Sequence, residues 1–229
     1  MYELHIANKN YSSWSVRPWV LMTTLGIPFR ERITPFPPTA PGRSVFKSFS
    51  PSGQVPCLVD GDTVVWDSLA IAEYLAERHE GVWPKDAKAR AWARSASAEM
   101  HSGFTALRST CNMNCGIRVK LKEISPALEE NLSRLAELWS DGLQKFGGPF
   151  LAGRDFSNVD AFYCPVAFRA QSYNLSLKGE AMAYVGRLLA LPAMREWYDA
   201  AMKEAWRIDR YEADARAAGE VTKDLRAAR

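Results

Sequence analysis

The chain has 229 residues, 47% hydrophobic, 11% aromatic and 24% charged, the profile of a folded globular protein rather than a disordered or fibrous one. Its 29 Lys and Arg against 26 Asp and Glu give a formal charge of +3, too mild a bias to argue for nucleic acid unless the charges cluster. Residues 1–83 hold 7 basic and 8 acidic side chains, leaving 22 and 18 for residues 84–229, so neither half is a polycation. Arg118, Lys120 and Lys122, the nearest thing to a patch, read as a solvated loop or helix face with no aromatic stacking platform beside them. No apolar stretch approaches the roughly 20 residues that span a bilayer, so neither nucleic acid nor membrane is an expected partner.

Tyr2 to Ala7 alternates as a strand does, and Asn8 to Ser15 is polar and loop-like. Ser15 is placed to cap a helix carrying Val16, Trp19, Val20 and Thr23, which stops at Gly26. Pro28 opens a second strand over Phe29 to Thr34; the four prolines from Pro35 to Pro41 require a loop, and Gly42 to Phe49 has room for a short helix. Gln54 to Val65 reads as two strands hinged at Asp60-Gly61, a type I′ dipeptide. Asp67 or Ser68 then caps a helix marked by Ile71, Tyr74, Leu75 and Arg78, which Gly81 and Pro84 end.

From Lys85 the period becomes helical. One stripe runs through Trp92, Ala96, Met100, Phe104 and Leu107, another through Leu128, Leu132, Leu135, Trp139 and Leu143. Ser109 to Gly116 is irregular, and further helices are predicted over Val159 to Ser172, Glu180 to Leu189 and Pro192 to Trp206. The expectation is an α/β unit over residues 1–80, a linker over 81–86 and an all-helical unit over 87–229, whose Ala-rich tail from Ile208 is helical or frayed. Ser157-x-x-Asp160 is a capping box, a folding signal rather than a catalytic one.

Cys57, Cys111, Cys115 and Cys164 come without a charged start followed by an apolar run, so a reduced, cytoplasmic protein is expected. With only His5, His79 and His101 available and no second cysteine pair, no metal site is expected. Pro56 stands just ahead of a strand, where either an ordinary trans entry or a cis Val55-Pro56 turn is open.

Four segments in order carry a family resemblance: Tyr11-Ser-Ser-Trp-Ser-Val-Arg17, Ser50-Pro-Ser-Gly-Gln-Val-Pro-Cys-Leu58, Asp67-Ser-Leu-Ala-Ile-Ala-Glu-Tyr-Leu75 and Gly153-Arg-Asp-Phe-Ser-Asn-Val-Asp160. Together they resemble a cytosolic-type glutathione S-transferase, bacterial and serine-type, with a zeta-like Ser-Ser-x-Ser loop. The resemblance covers nearly the whole chain and implies a thioredoxin-like N-terminal domain followed by a C-terminal helical bundle. It implies glutathione as co-substrate, with Gln54, Val55 and Pro56 meeting its cysteinyl backbone across a cis turn and Asp67 and Ser68 holding its γ-glutamyl end. Because no cysteine precedes Cys57, the thiol activator implied is a serine, Ser12 by its spacing to Arg17 or Ser13 by a shorter one, with Tyr11 third.

Trp14, Phe104, Arg108 and Met113 are the candidates for the second substrate, a small hydrophobic or acidic electrophile, with Met100 and Asn114 beside them and Arg118 near Arg108. The resemblance also implies a homodimer and a detoxification role. Two alternatives stay open: a maleylacetoacetate-type cis-trans isomerase, although Trp14 stands where the zeta pattern has cysteine, and a non-catalytic binding or regulatory protein on the same two domains.

Overall fold

Leu4 and Ile6 face one side of a short strand and are fully buried, which makes β1 (Tyr2–Ile6) the inner strand of a sheet. The computed structural model describes residues 1–37 and 43–226, apart from the side chains of residues 43 and 44. β1 pairs in parallel with β2 (Phe29–Ile33) and antiparallel with β3 (Cys57–Asp60); β4 (Thr63–Trp66) completes the order β2-β1-β3-β4. Helix α1 (Val16–Thr24) makes the crossover between the parallel strands, and α3 (Ser68–Ala76) follows β4. The four-residue α2 (Arg43–Phe46) lies between β2 and β3. Part of the loop expected over 35–41, together with Gly42, lies outside the described residues.

Two local expectations are corrected here. Asp60 pairs with Thr63, so the hairpin turns on Gly61-Asp62 rather than Asp60-Gly61; only Gly61 takes a positive φ, 61°, whereas type I′ needs two. Ser15 precedes α1 but does not cap it: its backbone is already helical, and its hydroxyl accepts from Ala7 N–H at 3.2 Å instead.

The second half packs α4 (Ala87–Ser102), α5 (Thr105–Thr110), α6 (Pro126–Phe146), α7 (Asn158–Tyr173), α8 (Ala181–Ala190), α9 (Pro192–Lys203) and α10 (Asp209–Ala218). Helix α7 is buried on nearly every face and touches α1, α4 and α8, as a helix at the centre of a bundle must. Asp160 closes its side of the capping box by accepting from Ser157 N–H at 3.0 Å. The Ser157 hydroxyl has no hydrogen-bond partner among the described residues, because Asp160 N–H goes to the Ser157 carbonyl.

The second half is not all helical. β5 (Ile117–Leu121) pairs antiparallel with β6 (Gly219–Asp224), so Arg118 and Lys120 stand on a strand, and the tail from Ile208 forms α10 and then β6. The cause is a period of two: Ile117 and Val119 are buried and alternate with the basic side chains. Among the described residues no helix is long and apolar enough to cross a membrane.

Candidate active site

The chain leaves β1 at Ile6 and must cross nine residues before α1, and its backbone groups there have no strand to pair with. The second half supplies the partners. Glu204, just past α9, accepts from Lys9 N–H at 2.6 Å and Asn10 N–H at 3.1 Å, and Trp197 Nε1 donates to the Lys9 carbonyl at 2.8 Å. Burial pushes the Glu204 carboxyl up, and the two backbone N–H groups pull against it.

This anchoring fixes Tyr11, Ser12, Ser13 and Trp14 on the wall of an open cavity of about 990 Å³. Ser12 is buried, and its Oγ donates to Ser15 Oγ at 2.7 Å. Ser13 is only partly buried, and its hydroxyl has no hydrogen-bond partner among the described residues. The Tyr11 hydroxyl donates to Glu212 Oε1 at 2.6 Å, and burial followed by that carboxylate pushes its pKa up. Gln54, Val55 and Pro56 also line the cavity, and the Val55-Pro56 bond is cis. Asp67 caps α3 by accepting from Leu69 N–H at 2.7 Å, while its second oxygen lies 3.4 Å from His101 Nε2.

The remaining wall comes from the helices. Arg108 on α5, Arg169 on α7 and Arg210 on α10 all line the cavity. Arg108 sits 4.7 Å over the Trp14 ring, and Arg17 lies fully buried between the Trp14 and Phe162 rings at 4.2 and 4.6 Å. Arg17 Nε and Nη1 have no hydrogen-bond partner among the described residues. Burial, then the neighbouring Arg108 and Arg169, push its pKa down to about 9; burial and Arg108 push Arg169 down to about 10. Against these cations the cavity presents Asp67, shared with His101, and Asp214, 4.0 Å from Arg210. The interior is therefore a site of uncompensated positive charge.

Not every expected residue reaches this cavity. Ser68 opens α3 but is buried, its Oγ unpaired among the described residues and off the cavity wall. Phe104 takes a left-handed φ of 56° ahead of α5 and packs into the core, as does Met100 on α4. Asn114 is buried and held by Asn10 and Glu212, leaving Asn112 on the wall with Met113. Arg118 spends its guanidinium on the Cys115 and Ile117 carbonyls and is not beside Arg108 at the cavity.

Residues 11–78 match the family model for the glutathione S-transferase N-terminal domain, and the fold around them is that of solved glutathione transferases. Residues 11–78 therefore carry a glutathione S-transferase N-terminal domain. Among solved structures, a glutathione transferase homologue from Burkholderia (BGR1), with bound glutathione, superimposes with a TM-score of 0.64 at 20% identity over 87% of this chain and 97% of that one. A dichloromethane dehalogenase of Methylorubrum extorquens is 39% identical over 61 residues, covering 26% of this chain and 21% of that protein. A probable maleylacetoacetate isomerase of Caenorhabditis elegans is 31% identical over 144 residues, 59% of this chain and 64% of that protein. The matched stretches thus span less than two thirds of either relative.

The residues that sequence reasoning missed are those whose neighbours are remote in sequence. Arg169 reaches the cavity from the middle of a buried helix, where an arginine among Phe168 and Ala170 was the one available signal. His101, given no role from sequence, stands between Asp67 and the Trp14 ring. The four cysteines are buried and unpaired, and burial pushes all four thiols up, Cys111 to about 12.

Proposed function

We propose that the protein is a glutathione-dependent transferase that holds glutathione as the thiolate against the β1–α1 loop and adds it to an acidic electrophile. The observation that carries this reading is the convergence of Ser12, Ser13, Val55 and Asp67 on one cavity that also carries Arg108 and Arg169, whose hydrogen-bond partners are backbone carbonyls rather than carboxylates. Val55 N–H and C=O have no hydrogen-bond partner among the described residues and are free to pair with a peptide-like ligand. Asp67, on the same side, suits an ammonium group.

Lowering a thiol from about 8.5 to about 7 requires about 2 kcal/mol of preferential anion stabilisation. A hydroxyl donating to an anion contributes about 1.5–3 kcal/mol, and the N-terminus of α1 adds about 0.3–1 kcal/mol. Ser12 is the activator favoured here, because the Ser15 hydroxyl can donate to Ser12 in place of accepting from it and so free the Ser12 proton for sulfur. Ser13, already unpaired, is the alternative.

Arg108 and Arg169 line the same cavity from α5 and α7 and support a second substrate bearing a carboxylate. They also favour one further reading, the cis-trans isomerisation of a maleylacetoacetate-like diacid by reversible glutathione addition, the activity named for the Caenorhabditis relative. Four reduced cysteines suit a cytoplasmic location, and a homodimer is the assembly we carry forward from the family resemblance.

The test is calorimetric titration with glutathione, followed by initial rates with a chlorinated aromatic, its carboxylated analogue and a cis-configured diacid. Glutathione binding with faster turnover of the carboxylated analogue supports the transferase, and preferred turnover of the diacid supports the isomerase. Absence of binding overturns the transferase and the isomerase and leaves the non-catalytic reading, as does binding without turnover of any of them.

A further inference from the structure

The C-terminal segment returns to the cavity loop from the far end of the sequence. β6 runs along β5, and Leu225 N–H donates to the Gly116 carbonyl at 2.8 Å, which brings the Arg226 side chain into the protein until only 3% of it is exposed. There its guanidinium grips Glu212 with both terminal nitrogens, Nη1 on Oε1 and Nη2 on Oε2, the latter at 3.0 Å. Asp224 accepts from Nε at 2.8 Å and from Nη2 at 2.6 Å. Nη1 also donates to Tyr11 Oη at 3.0 Å.

From Glu212 the network continues inward. Its Oε1 accepts from Tyr11 Oη and from Asn114 Nδ2 at 3.1 Å, Asn114 Oδ1 accepts from Asn10 Nδ2 at 2.9 Å, and Asn10 Oδ1 accepts from Gly116 N–H at 3.0 Å. The tail, α10 and the residues just before Ser12 therefore share one set of hydrogen bonds. Two glycines make room for it. A Cβ on Gly116 would lie 2.2 Å from Arg226 Cγ, and one on Gly219 would lie 2.2 Å from the Lys120 carbonyl oxygen, so neither the stem of Arg226 nor the start of β6 fits beside a side chain.

We infer that Arg226 is a positioning residue for thiol activation: the C-terminal segment fastens Tyr11 through Glu212 and so fixes where Ser12 and Ser13 present their hydroxyls. The inference rests on the serine-based reading above. Tyr11 precedes Ser12 directly, and both N–H groups converge on the Asn8 carbonyl, at 3.1 and 2.9 Å, so a displacement of the Tyr11 ring is carried into the serine turn. Without the guanidinium, the Glu212 carboxylate loses its counter-charge while still facing Tyr11 and Asn114, and the network has to rearrange. A misplaced donor weakens an anion's stabilisation more than it weakens binding of the rest of the tripeptide.

The experiment uses the full chain as wild type, Arg226→Gln, Arg226→Lys and Gly116→Ala, the last forcing the Arg226 stem aside with its charge intact. Bound-thiol pKa is read by thiolate absorbance, kcat and KM for glutathione by steady-state rates, and exchange of the residue 10–13 amides in ligand-free protein by NMR. Arg226→Gln and Gly116→Ala are expected to raise the bound-thiol pKa by about one unit, to lower kcat about tenfold with a smaller change in KM, and to speed exchange at 10–13, with partial recovery in Arg226→Lys. Wild-type thiol pKa and wild-type exchange at 10–13 in folded Arg226→Gln and Gly116→Ala overturn the inference. Wild-type protein that fails to bind glutathione overturns the functional reading instead, and the amide exchange still decides whether the tail fastens the loop. A variant that does not fold is replaced by the other, whose exchange then decides.

Discussion

Ser12 Oγ and Ser15 Oγ are 2.7 Å apart, and Ser15 Oγ also takes the Ala7 N–H at 3.2 Å, so the end of β1 and the start of α1 are joined through two hydroxyls. The residue expected to cap the helix instead holds the residue proposed to activate the thiol. Removing it exposes both roles at once.

Ser15→Ala leaves the Ala7 N–H buried without a partner, at a cost of about 1–3 kcal/mol. Urea unfolding is expected to show that loss. Bound-thiol pKa in the same variant is expected to rise by less than it does in Ser12→Ala, because Ser12 remains present but less well oriented. An unaltered unfolding midpoint contradicts the structural part of this account.

Arg108 and Arg169 are proposed to receive a carboxylate on the second substrate. For Arg108→Gln the ratio of kcat/KM for a carboxylated electrophile to that for its neutral analogue is expected to fall about tenfold or more, since a hydrogen bond to a charged group is worth about 1.5–3 kcal/mol. Equal losses on both electrophiles indicate a packing role against Trp14 instead.

Asp160 gives a pH dependence of defined sign. Burial pushes its carboxyl up to about 6, against the pull of hydrogen bonds from Leu151, Tyr184 and Ser157. The folded protein therefore holds a proton that the unfolded chain releases near its ordinary value of 3.8. Stability from this group is complete below that value and is lost as pH rises through about 6. Asp160→Asn does not titrate, so the stability gap between wild type and variant, measured by urea unfolding, is expected to be larger at pH 4 than at pH 7. A gap that widens toward pH 7 contradicts the assignment.

The N-terminal sheet was legible because each of its strands and helices announces itself locally: the alternation of Tyr2 to Ile6, the Asp67 cap, Gly61 at the hairpin. The cavity's sheet side was legible through the Ser-Ser and Val-Pro segments for the same reason. The helical side was not. Whether Phe104 or Arg169 faces the cavity depends on how α5 and α7 are rotated in the bundle, and a stripe of apolar residues fixes that only loosely. β5 and β6 were hidden for another reason: five- and six-residue strands 98 positions apart carry charged side chains on their outer faces and reveal themselves only in pairing.

Glu204 is the second anchor of the β1–α1 loop and is testable by stability alone. Glu204→Gln replaces one acceptor oxygen by a donor facing Lys9 or Asn10 N–H, and a loss of about 1–3 kcal/mol is expected by urea unfolding. Wild-type stability in this variant shows that the loop finds other partners.

The pKa of the glutathione thiol when bound to wild type, Ser12→Ala and Ser13→Ala, read from thiolate absorbance, tests the central claim most directly. The account predicts a value of about 7 or below in wild type and a return toward about 8.5 when the activating serine is removed. A bound thiol near 8.5 in wild type, or a depressed value that survives both substitutions, contradicts it.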